Sequence, residues 1–412
     1  MQFRSHTLPN GLEIIAECNP KAYSLGMAFF VKTGARDEND EVSGVSHFLE
    51  HMVFKGTARR SAADVNRELD ELGSHSNAYT SEEQTVYYCT VLPEFQDRAL
   101  ELLSDMMRPA LREDDFTTEK KVIIEEIAKY DDQPPYGGHE KSMALYFGQH
   151  PLSRSVLGTK ESVGALAPEQ MRAYFEQRYS PRNMAVVASG NVDFDRLVRE
   201  AERWCGHWQP FDAPRQIEHA PAHAGFHVIK NDLATQEYCL ILGDGPGAAD
   251  HDRYASRLLA TVLGDDSGSR MYWELVDNGL ADFASMGASE YQGTGLLWGY
   301  MCCQPEDTAA NLQIMRDVCA KAQQDGLTEK ELEQAKNKIC AHLVLQAERP
   351  SSRLFSVGNG WIQRREYRTV REAVEAYRAV TLNDLHAVMQ KYPLTTNTTV
   401  CVGPLAEIAA PE

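Results

Sequence analysis

Alternation of apolar and polar positions marks the start of the chain as a hairpin. Two short apolar-rich runs flank the turn Pro9-Asn10-Gly11. Leu25 to Thr33, with Phe29, Phe30 and Val31 in succession, reads as a buried strand. A polar loop, Gly34 to Glu41, leads into a mostly apolar helix that carries His47, Phe48, Leu49, Glu50, His51, Met52, Val53 and Phe54. Ser61 caps a helix over 62–72, stopped by Gly73. Strands follow at 74–80 and 85–92, and Pro93 opens a helix through Met107. Helical periodicity returns over 117–131, where Pro134-Pro135 ends it, then over 140–147 and 168–179. The strand 183–190 and the helix 194–205 close this part.

Residues 209–224 hold prolines, lack apolar periodicity and read as a linker. Beyond them the pattern restarts. Strands are predicted at 226–230, 238–242, 283–289, 295–303 and 398–402, with helices at 251–263, 269–278, 306–325 and 329–347. Both parts end on the same succession: a helix, Tyr-Ser-Pro (Tyr179) or Tyr-Pro (Tyr392), then a strand. This predicts an internal duplication, with a half over 1–208 and a homologous half over 225–412. The fold class expected is α+β, each half a mostly antiparallel sheet packed with helices.

The helix around His47 carries the chemistry. His47 and His51 are four apart and share a helix face, and Glu50 points to the same side. Two imidazoles so placed can ligate one tetrahedral zinc ion. A carboxylate beside them can deprotonate a water whose pKa the metal has lowered to about 7. Chance supplies H-x-x-[DE]-H roughly 0.06 times in a chain with this many His and acidic residues. Three polar residues on an apolar helix also need partners, which a metal provides. Only this first half carries the motif, so the second is read as a diverged companion.

Zinc needs a further protein ligand. The helix Thr118-Glu119-Lys120-Lys121-Val122-Ile123-Ile124-Glu125-Glu126-Ile127 offers two acids, Glu119 and Glu126, seven apart on nearly one face. One can ligate the metal while the other accepts a hydrogen bond from a ligating imidazole. Glu125 lies about 100° away and faces solvent.

Composition narrows the setting. The chain has 412 residues, 43% of them hydrophobic, enough for two or three domains. Without a run of about 18 apolar residues, no membrane span is expected. The first residues lack the apolar core of a signal peptide. Nine scattered cysteines, with no C-x-x-C pair, fit reduced thiols and a cytoplasmic protein. A formal net charge of −19 argues against nucleic acid and anionic membranes as partners.

With these residues in hand, the chain resembles the pitrilysin-type inverzincin peptidases, in the subgroup that includes the mitochondrial processing peptidase. The matching stretches are His47 to Thr57, Asn77-Ala78-Tyr79-Thr80-Ser81, and Val122 to Ile127 with Tyr130 and Asp131. The resemblance implies one zinc per chain held by His47, His51 and Glu126, with Glu50 as general base and Glu119 as supporting acid. It implies that Asn77, Ala78 and Tyr79 lie on an edge strand that pairs with a peptide substrate, and that two halves face each other around a chamber. The activity implied is that of a metalloendopeptidase. The rival readings are a non-catalytic companion subunit and a zinc-dependent peptide-binding module.

One departure stands out. Relatives often carry an Arg and a Tyr seven apart, in a segment ending Gly-Leu-Ala-Tyr. Here Asp282 follows Gly279-Leu280-Ala281, Leu275 stands at the Arg position, and Arg270 lies nearby. A second chain that supplies the missing donors is therefore expected, in a homodimer or in a heterodimer with a related subunit. An acid at 282 facing the chamber favours basic peptides.

Overall fold

A computed structural model describes residues 1–220 and 222–412. The strands are β1 (Gln2–Thr7), β2 (Glu13–Cys18), β3 (Leu25–Val31), β4 (His75–Thr80), β5 (Thr85–Val91), β6 (Met184–Gly190), β7 (Gly225–Lys230), β8 (Glu237–Gly245), β9 (Phe283–Glu290), β10 (Gly295–Cys303) and β11 (Asn397–Gly403). The helices of the first part are α1 (Val45–Val53), α2 (Ala62–Glu71), α3 (Gln96–Met106), α4 (Glu113–Asp132), α5 (Gly138–Phe147), α6 (Lys160–Ala165), α7 (Pro168–Arg178) and α8 (Phe194–Cys205). Those of the second are α9 (Arg253–Gly264), α10 (Thr308–Asp325), α11 (Glu329–Ala347), α12 (Pro350–Arg364), α13 (Val370–Ala379) and α14 (Leu382–Lys391). The nine cysteines are free thiols.

The chain forms two compact units, and neither is continuous in sequence. The first comprises Met1–Ala128, Arg154–Gln216 and Leu345–Arg368; the second comprises Lys129–Ser153, Ile217–Val344 and Thr369–Glu412. A division into contiguous stretches, 1–208 and 225–412, leaves out this exchange of segments. Nor does the expected linker hang free at its start. Arg178 donates to the Pro214 carbonyl (2.9 Å), and Arg215 Nε donates to Asp37 Oδ1 (2.9 Å).

In the first unit the sheet order is β1-β2-β6-β3-β5-β4. β2 and β6 run parallel, and the other neighbours are antiparallel. Period-2 alternation sends Leu25, Met27, Phe29 and Val31 into one core with α1, α3 and α8. Ala28 and Phe30 point to the opposite face, where Leu354, Val357 and Ile362 of α12 cover them. Gly358 makes that contact possible, because a Cβ there would lie 2.1 Å from the Phe30 ring.

The second unit repeats the plan without the extra hairpin strand, in the order β7-β11-β8-β10-β9. β7 and β11 are its parallel pair. Cys239 and Cys401 face the core built with α9, α10 and α14, while Tyr238, Val400 and Val402 face the other way. α5, from the first half of the sequence, packs on that other side, with Met143, Tyr146 and Phe147 against Leu242 and Leu296. The duplication is thus visible as strand-by-strand topology: β2, β6, β3, β5 and β4 correspond to β7, β11, β8, β10 and β9.

Most predicted elements occur with shifted ends. α4 begins at Glu113, four residues before its predicted start, with Glu113, Asp114 and Asp115 favouring its N-terminus. Helix 269–278 is reduced to a short, wide turn over Tyr272–Val276, between Gly268 and Gly279, both with positive φ. That turn keeps Leu275 fully buried in the second core. α6 lacks the apolar periodicity that would have marked it; Thr159 and Ser162 cap it reciprocally.

Candidate metal centre

α1 starts on Gly44, whose φ of +90° is open to glycine and strained for other residues. Its unsatisfied amides are met from outside the helix. Glu38 Oε2 accepts the Gly44 amide and Oε1 the Ser46 amide, both at 2.7 Å. Burial pushes the Glu38 carboxyl up to about 8, against the pull of those two amides. This cap fixes where α1 begins, and so the direction in which His47, Glu50 and His51 project.

His47 and His51 stand with ring centroids 4.7 Å apart. α4 brings Glu126 to them: its Oε2 lies 3.9 Å from His47 Nε2 and 3.6 Å from His51 Nε2. These separations exceed hydrogen-bond length. Donors about 2 Å from one tetrahedral ion stand about 3.3 Å apart, so the three atoms surround a gap close to the size of a zinc ion. They form the cluster of metal-ligating side chains among the described residues.

The two imidazoles differ in their affinity for a proton. Burial, then the charge of His51, lowers His47 to about 4, so its ring is neutral at neutral pH. Its Nδ1 is buried without a hydrogen-bond partner among the described residues. His51 Nδ1 lies 2.9 Å from Glu119 Oε1. Donation from Nδ1 leaves the Nε2 lone pair directed at Glu126. Burial opposes protonation of His51, but Glu119 and the charges of Glu126 and Glu50 outweigh it and raise its pKa. The second oxygen of Glu119 pairs with Lys55 Nζ at 2.5 Å. Burial works to raise Glu119, but His51 and Lys55 prevail and hold it below the usual carboxylate range. Two imidazoles and one carboxylate are donors that zinc accepts, with His51 giving up its second ring proton on binding, so the residues present fit one such ion.

Glu50 is half-buried, and burial raises its pKa, opposed by the Thr80 hydroxyl and His51. That hydroxyl donates to Glu50 Oε2 at 2.6 Å. β4, which carries Thr80, is the edge of its sheet. Asn77 is exposed there, and its Oδ1 accepts the Ala78 amide at 2.9 Å. The Tyr79 side chain points to the opposite face from Thr80, against Phe355 and Gln84, so only its backbone lies along the open edge. Glu125 is exposed. Val122, four residues before Glu126, is 44% exposed.

The remaining sequence-derived candidates lie in the second unit. Arg270 is committed to Glu331, with Nε to Oε1 at 2.7 Å and Nη2 to Oε2 at 3.1 Å. Asp282 is exposed and accepts a hydrogen bond from Gln236. Reasoning from the sequence missed three contacts: the Glu38 cap, the Lys55–Glu119 pair and the Thr80–Glu50 bond. Lys55 was within reach, because it lies four residues beyond His51 on the same helical path.

Comparison with known proteins agrees with this architecture. Residues 13–160 match the family model described as insulinase (peptidase family M16), and residues 165–339 match that of the peptidase M16 inactive domain. A protein of Mycobacterium tuberculosis named as an uncharacterized zinc protease is 32% identical over 93% of this chain and 89% of its own length. A Bacillus subtilis protein of the same description is 30% identical over 94% of this chain and 95% of its own length. Among solved structures, a protease from Helicobacter pylori superposes with a TM-score of 0.91 at 23% identity, covering 98% of this chain and 100% of that one. A peptidase M16 inactive domain from Pseudomonas fluorescens gives 0.90 at 18% identity, with 100% of each chain covered. The chain belongs to the insulinase family of peptidases, M16.

Proposed function

We propose that this chain is a zinc endopeptidase acting on peptides or short unfolded segments, with Glu50 as its general base. The observation that carries this reading is the convergence of His47 Nε2, His51 Nε2 and Glu126 Oε2, with Glu50 on the same helix. Bound zinc supplies a Lewis acid that polarises a carbonyl and lowers the pKa of water. Glu119, steadied by Lys55, holds His51 in the tautomer that presents Nε2. Glu50 takes the proton of the attacking water on Oε1, the oxygen that Thr80 leaves free, and hands it to the leaving amine. Its raised pKa brings it nearer the range where a carboxylate can do both.

The open edge of β4 supplies backbone donors and acceptors from Asn77 to Thr80, to which an extended peptide adds as a further strand. Recognition through the main chain demands little of the peptide's sequence. Enclosure of the peptide in a chamber belongs to the same proposal, as does a second copy or related subunit that supplies the carbonyl-binding donors missing at positions 275 and 282.

The test is to incubate the purified, zinc-loaded chain with a diverse peptide mixture and sequence the fragments. Internal cleavage is expected. Glu50→Gln should keep its zinc and lose about 10³-fold in rate. A native chain that binds zinc and peptide yet yields no fragments would favour the peptide-binding module. Activity that appears only with a related subunit would identify the heterodimer, whereas an active homodimer, read from its mass in solution, would make a partner unnecessary.

A further inference from the structure

The hydroxyl at the end of the edge strand β4 donates to the proposed base. Thr80 is the last residue of β4 and pairs across the sheet with Thr85. Its Oγ1 lies 2.6 Å from Glu50 Oε2, in the range of a charge-assisted O–H···O⁻ bond. The same Oγ1 lies 3.4 Å from Thr85 Oγ1. Thr85 is fully buried, and its hydroxyl donates to the Thr33 carbonyl at 2.9 Å. The Thr85 proton is therefore committed elsewhere, and that of Thr80 goes to Glu50.

Thr33 extends the chain of hydroxyls to the start of α1. Its Oγ1 lies 2.8 Å from the Tyr174 hydroxyl, which lies 2.8 Å from Ser46 Oγ. Ser46 and Glu50 are four residues apart, on one side of α1. That side of the helix is thus gripped at two points, one turn apart, by Tyr174 of α7 and by Thr80 at the end of β4. The Ser46 contact orients the helix, and the Thr80 contact selects the direction of the Glu50 side chain.

We propose that Thr80 is a positioning residue, whose hydroxyl holds Glu50 Oε2 so that Oε1 faces the reacting water in register with a peptide paired to β4. The inference rests on the peptidase reading. A bond from the docking strand to the base means that one element fixes both the scissile bond and the group that acts beside it. A free Glu50 carboxylate would have to find that orientation among several rotamers at each turnover.

Thr80→Val keeps the shape and the strand preference while removing the donor; Thr80→Ser keeps the donor. Zinc content, kcat and KM are to be measured for each, with the affinity for a fluorescent peptide read in a Glu50→Gln background. Thr80→Val should keep one zinc per chain, hold peptide affinity and KM within about twofold, and lose about 10- to 100-fold in kcat, as for the loss of a hydrogen bond to a charged group. Thr80→Ser should stay within about threefold of native kcat. If Thr80→Val fails to fold, Thr80→Ala read against Thr80→Ser makes the same comparison. Native kcat in the valine variant, a serine variant as slow as valine, or a loss of zinc that accounts for the slower rate overturns the assignment. A native chain that cleaves no peptide overturns the peptidase reading and this inference with it, whereas native cleavage with an unaffected valine variant overturns this inference alone.

Discussion

At the scale of single residues, the metal centre depends on which acid of α4 meets the two imidazoles. Glu126 Oε2 lies within 4 Å of both Nε2 atoms, while Glu125 is exposed. Glu126→Gln is therefore expected to lower bound zinc sharply, and Glu125→Gln to leave it near one per chain, as measured by metal analysis after dialysis. The opposite pattern would mean that the helix turns differently in the bound protein. His47, Glu50 and His51 were legible in the sequence because one helical turn brings them together. Glu119 and Glu126 were legible as a pair, but spacing alone did not say which of them would ligate. The Thr80–Glu50 bond was not legible, since thirty residues and a strand pairing separate its ends. Arg270 shows a different side of residue chemistry. Burial works to raise Glu331, but the Arg270 fork and Thr328 outweigh it and hold it at about 2, down from 4.5. A carboxylate depressed by folding stabilises the native state above its unfolded pKa, and that contribution is lost as pH falls from about 4.5 towards 2. Arg270→Met should accordingly raise the acid-unfolding midpoint by about half a pH unit, followed by circular dichroism. An unchanged midpoint would leave the pair without weight in folding.

At the scale of elements, α12 is held to its sheet by more than apolar contact. Arg353 is buried and forks onto Glu17 of β2, with Nε to Oε1 at 2.9 Å and Nη2 to Oε2. The Tyr367 hydroxyl adds a further bond to Glu17 at 2.7 Å. Arg353→Met leaves the acid buried with its cation gone. We expect a loss of about 3 kcal/mol, seen as a lowered denaturant midpoint, with Glu17→Gln in the same chain recovering a large part. If the single variant unfolds like native, the pair does not anchor the helix. Met143, Tyr146 and Phe147 of α5, and Leu354, Val357 and Ile362 of α12, recur at helical spacing and form buried faces, but of the two the sequence reading singled out only the first helix, over 140–147. It could not say which sheet would receive that face. Periodicity reports that a side is covered but not by what, so α5 and α12 were not recognised as leaving their own halves.

At the scale of the whole molecule, the exchange of α5 and α12 makes the two units depend on each other through the chain. A fragment 1–216 lacks α12 and leaves Ala28, Phe30 and Val187 bare; a fragment 217–412 lacks α5 and the preceding Tyr136 and leaves Leu242, Leu296 and Tyr238 bare. Each alone should bind a hydrophobic dye and aggregate, whereas the two expressed together should co-purify. A fragment 1–216 that stays soluble and dye-free on its own would count against a structural need for the exchange.

The swap is also reciprocal. α5 follows the long helix α4 in the first copy, α12 follows the long helix α11 in the second, and each covers the equivalent strand pair, β8 with β11 or β3 with β6. Two separate chains, each bearing one copy, could make the same trade. The chain thus has the connectivity of a domain-swapped dimer whose two partners lie on one polypeptide, so that neither copy completes its sheet cover without the other.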